Sequence, residues 1–403
     1  MLFITICLIS KLLIPMDNVQ TDHLRAYGIA YQSLDWGLPV EWLLNWRGGA
    51  FLLEENQGLK QLCDQRGVMI YPISLEEEAQ IKAEIAEINA DVVVLEKAPK
   101  VAVYQTPTAQ PWDDAVVMAL DYAFIPYDKI WDEEVLDGEL DQYDWIHLHH
   151  EDFTGQLGKF WASYRNTEWY KQQFNLNQEL AFTYGYDYIW QLKQAVAEKI
   201  RQYVNEGGYL FAMCSACDTW EISMAAYGLD IVDTPFDGSP PQTTDIDTAR
   251  SLAFTNYQII TDPMIYEHSD IDVSQEAYQR GEQMFFSLYE FSAKQDPVPT
   301  MLTQNHQGRI REFMGQCTGF HSQFIRPYIT IMGVVDGTDE VKYLSGNFGE
   351  GSFTYYGGHD PEDYTHYVGD PPTDLNFYPN SPGYRLILNN VLFPAAKKKE
   401  LKT

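Results

Sequence analysis

The feature that most constrains this chain is a strand that runs directly into a cysteine. Residues 209–213, YLFAM, form an apolar run behind Gly207-Gly208, and Cys214 follows with no turn residue between. From residue 218 to 227 the apolar spacing becomes helical. A strand that passes into a helix through a single residue must turn sharply, and that residue then sits at the tip in a strained conformation. The flanking positions are crowded, which accounts for the small Ala212 and Ala216. The turn also places the thiol at a helix N-terminus, where free N–H groups and the dipole favour the thiolate. The N–H of Ser215 is then available to a developing oxyanion. The competing reading is a buried structural cysteine at a strand end.

A thiolate nucleophile needs a base to accept and return its proton. His359 is the candidate, in the string Gly357-Gly358-His359-Asp360-Pro361-Glu362, directly after the strand pattern GSFTYY. A carboxylate must orient that imidazole. Glu362 is the first choice, with Asp360 and Asp363 as rivals.

Strand and helix patterns alternate through the chain, which indicates an α/β protein. At 403 residues it is long enough for more than one domain. Residues 11–98 read as a small α/β domain, with strands at 12–16, 40–45, 51–53, 68–73 and 91–95. Ser74 and the glutamates behind it open an acid-rich helix. The string KAPK at 97–100 is the joint. Residues 99–396 read as a second α/β domain, with strands at 101–104, 127–131, 143–149 and 209–213. Its long helix at 190–205 is closed by Gly207-Gly208, and its last helix runs from 383 to 393. An aromatic insertion occupies roughly 153–190, and residues 234–298 show no clear period. Residues 341–356 read as a hairpin turning at Gly346-Asn347.

Strand, small-x-Cys-x-small and helix, followed by a late strand ending in His, Pro and Glu, resembles the class I glutamine amidotransferases. The resemblance implies a flavodoxin-like, mostly parallel sheet for residues 99–396, preceded by the smaller α/β domain. It implies a triad of Cys214, His359 and Glu362 that hydrolyses an amide through an acyl-enzyme, with no cofactor. It also implies that the loop at residues 150–155 completes the oxyanion hole, with Gly155 beside Ser215. This chain departs from the family in having alanines at 212 and 216, and one residue inserted between His359 and Pro361. The strings IPMDNVQTDHLRAYGIAY, WRGGAFLLE, PWDDAV, HHEDFTG and GGHDPED also resemble bacterial proteins labelled asparagine synthetase B. ATP-dependent asparagine synthesis is not expected. Residue 2 is Leu2 where such enzymes carry a cysteine, and the nearest string to their Ser-Gly-Gly loop is Ser345-Gly346-Asn347-Phe348.

Other features bound the function. His147, His149 and His150 close one strand, followed by Glu151 and Asp152. Strand ends are where α/β sites assemble, so His149, His150, Glu151, Asp152 and Asp360 are candidate pocket residues. A metal site from that strand end is the weaker reading. Cys214-Ser215-Ala216-Cys217 is also a CxxC, whose alternative reading is redox. Arg47-Gly48-Gly49 reads as a turn, or else as an anion contact. The net charge of −31, from 58 acids against 27 bases, excludes nucleic acid as a partner. Residues 1–10, MLFITICLIS, are too short to span a bilayer and read as an export-signal remnant or a first strand. The expected partner is a small-molecule, peptide or glycan-derived substrate, and the expected location is periplasmic, otherwise cytoplasmic. The alternative function is a non-catalytic periplasmic binding protein on the same scaffold.

Overall fold

The structure, a computed structural model, describes residues 11–396. The export-signal expectation therefore lies outside the described residues. Two sheets organise the chain. The first contains β1 (Lys11–Ile14), β2 (Val40–Leu44), β3 (Ala50–Glu54), β4 (Tyr71–Ile73) and β5 (Asp91–Leu95) in the order β4-β1-β3-β2-β5. Every pair in it is antiparallel. Its helices begin on side-chain caps. Asp22 accepts from the N–H of Arg25 at 2.8 Å ahead of helix His23–Asp35. Ser74 and Glu77 form a reciprocal capping box on helix Leu75–Glu87.

The second sheet contains β6 (Val101–Tyr104), β7 (Asp128–Ile130), β8 (Trp145–Leu148), β9 (Tyr209–Met213), β10 (Phe285–Leu288), β11 (Arg309–Arg311), β13 (Thr330–Val335), β14 (Glu340–Phe348) and β15 (Gly351–Tyr356). They lie in the order β11-β10-β13-β14-β15-β9-β8-β6-β7, and β12 (Phe320–His321) pairs beside β14. From β7 to β15 all neighbours are parallel; from β15 to β11 they are antiparallel. In chain order the five parallel strands lie second, first, third, fourth, fifth. Val103, Phe211 and Met213 face one apolar cluster, and Ala102, Tyr104, Leu210 and Ala212 face another. Both faces are covered, which is why these strands read as unbroken apolar runs. Among the described residues no helix is long and apolar enough to cross a membrane.

The sequence-expected hairpin over 341–356 forms, but its turn lies at Gly349-Glu350, with Phe348 opposite Gly351. Gly346 sits inside the strand because a Cβ there would come 2.5 Å from the Phe353 ring. The glycine serves packing, not turning. The aromatic insertion folds into helix Glu168–Thr183 and shorter turns, and Phe160, Tyr170, Trp112 and Trp169 gather in a cluster of their own.

The boundary at 98 is a change of sheet but not of core. One apolar cluster runs from Leu12, Phe51 and Ala26 through Val103 and Phe211 to Leu386 and Leu392. Helix His23–Asp35 approaches helix Ala115–Ala123 so closely that a Cβ at Gly28 would lie 1.8 Å from the Ala123 oxygen. The fully buried Arg385 donates to the Met16 carbonyl at 2.9 Å, the Tyr27 hydroxyl at 3.2 Å and the Gly48 carbonyl. Arg385→Ala strands these acceptors without donors. It lowers unfolding free energy by about 3–5 kcal/mol, read in denaturant titration as one shifted transition. Two separate transitions would show that the halves fold independently.

Candidate active site

The parallel strands end in line: Tyr356 is opposite Met213, Ala212 opposite Leu148, and Leu148 opposite Tyr104. The residues that follow therefore meet at one edge, as ligand sites of open α/β sheets do. Cys214 has φ +50, the strained left-handed conformation expected of a one-residue elbow. Its N–H donates to the Gly358 carbonyl at 3.1 Å, and the N–H of Ala216 donates to the His149 carbonyl at 2.9 Å. Two neighbouring strand ends thus hold the elbow from both sides, and helix Ala216–Ala225 starts immediately.

The Cys214 sulfur accepts the backbone N–H of Gln316 at 3.2 Å. Burial opposes ionisation of this thiol. The hydrogen bond and charge of His359, with the N–H groups of Gln316 and Ser215, outweigh burial and hold it below its ordinary value near 9. The other three described cysteines are also free thiols, but burial pushes each of them up, Cys63 to about 12. Cys217 is therefore held as an inert thiol, which removes support from the redox reading of the CxxC.

His359 lies buried at the end of β15 and lines the same cavity as Cys214, whose charge it stabilises. Its Nε2 is 3.5 Å from Asp113 Oδ1, and its Nδ1 is 3.2 Å from His149 Nε2. His366 stacks on its ring at 4.3 Å. Burial disfavours the imidazolium, but Asp113 and the Cys214 thiolate overcome it and push His359 up to about 10. The two shifts run in opposite directions, and both favour the thiolate–imidazolium form of the pair.

The carboxylate at His359 is Asp113, not the expected Glu362. Asp113 also sits 2.9 Å from His366 Nε2. Burial disfavours its charge, yet the two imidazoles hold it well below the usual carboxylate range. Burial raises Glu362, and the group that favours its charge is the Ser381 hydroxyl rather than the imidazole of His359. Asp360 accepts the Glu362 N–H at 2.8 Å and so caps the turn. Asp363 reaches only His366, at 3.0 Å. The inserted residue after His359 displaces these acids from the ring, and the loop leading into helix Ala115–Ala123 supplies the partner.

A second string orients His359 from behind. Asp114 caps helix Ala115–Ala123, accepting from Val116 N–H at 2.8 Å, and lies 3.1 Å from His149 Nδ1 and 3.5 Å from His147 Nε2. Burial drives His149 down to about 4, so it is neutral. The partners assign its tautomer: Nδ1–H donates to Asp114, and Nε2 accepts from His359 Nδ1–H. His150 is kept neutral by burial and faces the cavity.

Of the remaining expected residues, the N–H of Ser215 is among the groups that favour the charged form of the Cys214 sulfur. Gly155 does not line the cavity. It packs against Trp190, where a Cβ would fall 2.7 Å from that Cα. The N–H of Gln316 stands at the sulfur in its place. Asp152 accepts from Thr154 and Gly158 N–H groups at 2.6 and 2.9 Å and so shapes its own loop. Burial raises Glu151 to about 8. Arg47 is paired with Asp17 at 2.7 Å rather than left open to an anion.

Among the described residues three groups bring potential metal-binding atoms together: His149, His150 and His359; Asp113, His359 and His366; and Asp114, His147 and His149. The first two both use His359, so an ion bound there would take the imidazole away from Cys214.

Above Cys214, His150 and His359 opens a cavity of about 540 Å³. Its walls carry Trp112, Phe160, Tyr164, Tyr266, Tyr278 and Tyr367. Sequence reasoning missed Asp113, His366 and Gln316. The one signal was the Asp113-Asp114 pair ahead of a helix, where capping already explains an acid.

No protein-family model matches the chain, and no curated protein matches it. Among solved structures it is similar to two cytoplasmic proteins from Salmonella typhimurium. STM3548 is 12% identical, with a TM-score of 0.37, covering 74% of this chain and 100% of that one. STM1381 is 10% identical, with a TM-score of 0.38, covering 74% and 99%. Gan42B, a GH42 β-galactosidase, is 12% identical with a TM-score of 0.27, and the match covers 66% of this chain and 28% of that one. At such scores the likenesses carry no functional argument.

Proposed function

We propose that the chain is a cysteine-dependent amide hydrolase of the glutamine amidotransferase-like kind, built on a flavodoxin-like sheet. The order of the five parallel strands is the order of that fold. The observation that carries the activity is one thiol, at a strained elbow, sharing the floor of a cavity with an imidazole that favours its ionised form. In this reading the Cys214 thiolate attacks the amide carbon. The N–H of Ser215, and that of Gln316 as it leaves the sulfur, receive the charge developing on oxygen. His359 gives its proton to the departing nitrogen as the C–N bond breaks, leaving a thioester. His359 then takes a proton from water, which attacks the thioester and frees the acid and the thiol.

Alkylation tests the premise. Iodoacetamide modifies Cys214 faster than Cys63, Cys217 or Cys317 near neutral pH, with peptide mass spectrometry as the readout. The rate rises with an inflection below pH 9, because the thiol is held under its ordinary value. In His359→Gln the inflection moves above 9, since burial then acts without the opposing charge. Equal rates at the four thiols, or an inflection that His359→Gln leaves in place, sink the reading.

A further inference from the structure

Charge in the cavity wall limits what the thiol can meet. Among the described residues no lysine or arginine lines it, and the one glutamate or aspartate that does is Glu267. The nearby Lys159 is buried, and its ammonium is spent on the carbonyls of Ile260 and Glu267, both at 2.6 Å. Both imidazoles beside the carboxylates are already matched, His359 by Cys214 and Asp113, and His366 by Asp113 at 2.9 Å and Asp363 at 3.0 Å. The mouth is aromatic and open: Tyr266 is 47% exposed, Tyr367 63% and Tyr278 72%. Trp112 and Phe160 stack behind them at 4.9 Å. The short helix Ser274–Arg280 presents Gln275, Tyr278 and Gln279 to the opening. Around the whole lies a chain of net charge −31.

Aromatic faces carry negative potential and attract cations, while repelling carboxylates that lack a counterion. A strongly acidic protein also concentrates cationic ligands. We infer that the cavity selects amides bearing a positively charged group, held between the aromatic mouth and Glu267 while the amide carbonyl reaches Cys214. This rests on the hydrolase reading and names its substrate class. The α-carboxylate of free glutamine finds no cationic partner here, so glutamine is a poor substrate. The chemistry is hydrolysis alone: the C–N bond breaks, water supplies the oxygen and hydrogens, and acid and amine leave.

Three phenylacetamides that differ only in the group opposite the amide arm, an aminomethyl, a methyl or a carboxymethyl, compare a positive, a neutral and a negative charge. Binding is measured calorimetrically on Cys214→Ala, and ammonia release on the unaltered protein. The aminomethyl compound binds roughly tenfold more tightly than the methyl one, and the carboxymethyl compound binds weakest. Glu267→Gln and Tyr278→Ala each compress that spread. Binding in this order without ammonia release from the unaltered protein overturns the hydrolase reading and keeps the ligand class. Ammonia release that ignores charge, or that favours the carboxymethyl compound, overturns the class and keeps the hydrolase. A spread untouched by Glu267→Gln, or no binding of any of the three, also overturns the class.

Discussion

Asp113→Asn lowers amide turnover by roughly a thousandfold to ten-thousandfold, whereas Glu362→Gln leaves it within a few-fold. Asp113 is the one carboxylate against both His359 and His366. With its charge removed, the main force raising His359 is lost, burial dominates, and the imidazolium that stabilises the thiolate is depleted. The effect falls on turnover rather than on substrate affinity, and Cys214 alkylation shifts to higher pH in step. Asparagine preserves volume, so circular dichroism and the unfolding midpoint stay near those of the parent. If instead Glu362→Gln is the severe variant, the acid has been placed on the wrong side of the ring.

Cys214→Ala removes the nucleophile and with it all turnover above about a ten-thousandth of the parent rate. Cys214→Ser falls almost as far, because a hydroxyl is not ionised by an imidazolium that suffices for a thiol. Groups that act as one unit are not additive. Cys214→Ala combined with His359→Gln is therefore no slower than Cys214→Ala alone, measured by ammonia release at saturating amide. A further drop in the double variant would mean that His359 serves a reaction in which the thiol takes no part.

Much of this arrangement was legible in the residues, and the reasons are physical. Strands buried on both faces cannot alternate in polarity, so VAVY and YLFAM announce β6 and β9 without ambiguity. The elbow was legible because few sequences put an apolar strand, small flanks and a helix around one cysteine. His359 was legible from the strand and glycines ahead of it. Asp113 was not, because an acid before a helix is already explained by the cap that Asp114 provides. Gln316 contributes only its backbone N–H, which any residue but proline supplies, so its identity carried no signal. His366 and the aromatic wall come from loops and short helical turns, whose position is set by tertiary contacts rather than by period. Strand direction in the first sheet was hidden for a similar reason. Alternating helix and strand does not specify parallel pairing, and β2 and β3, joined by residues 45–49 alone, can pair only antiparallel.

The shared core links the front of the chain to the chemistry. Helix His23–Asp35 bears on helix Ala115–Ala123 at Gly28, and Asp22 accepts from the Tyr122 hydroxyl at 2.8 Å. The opposite end of that second helix begins at Asp114, with Asp113 just ahead of it. The acid that orients the imidazole is thus mounted on a rod whose far end is clamped by the first sheet's helix. The opening residues serve as a buttress for the reacting groups, and trimming them to isolate a catalytic unit would loosen the part of the site that needs the firmest footing.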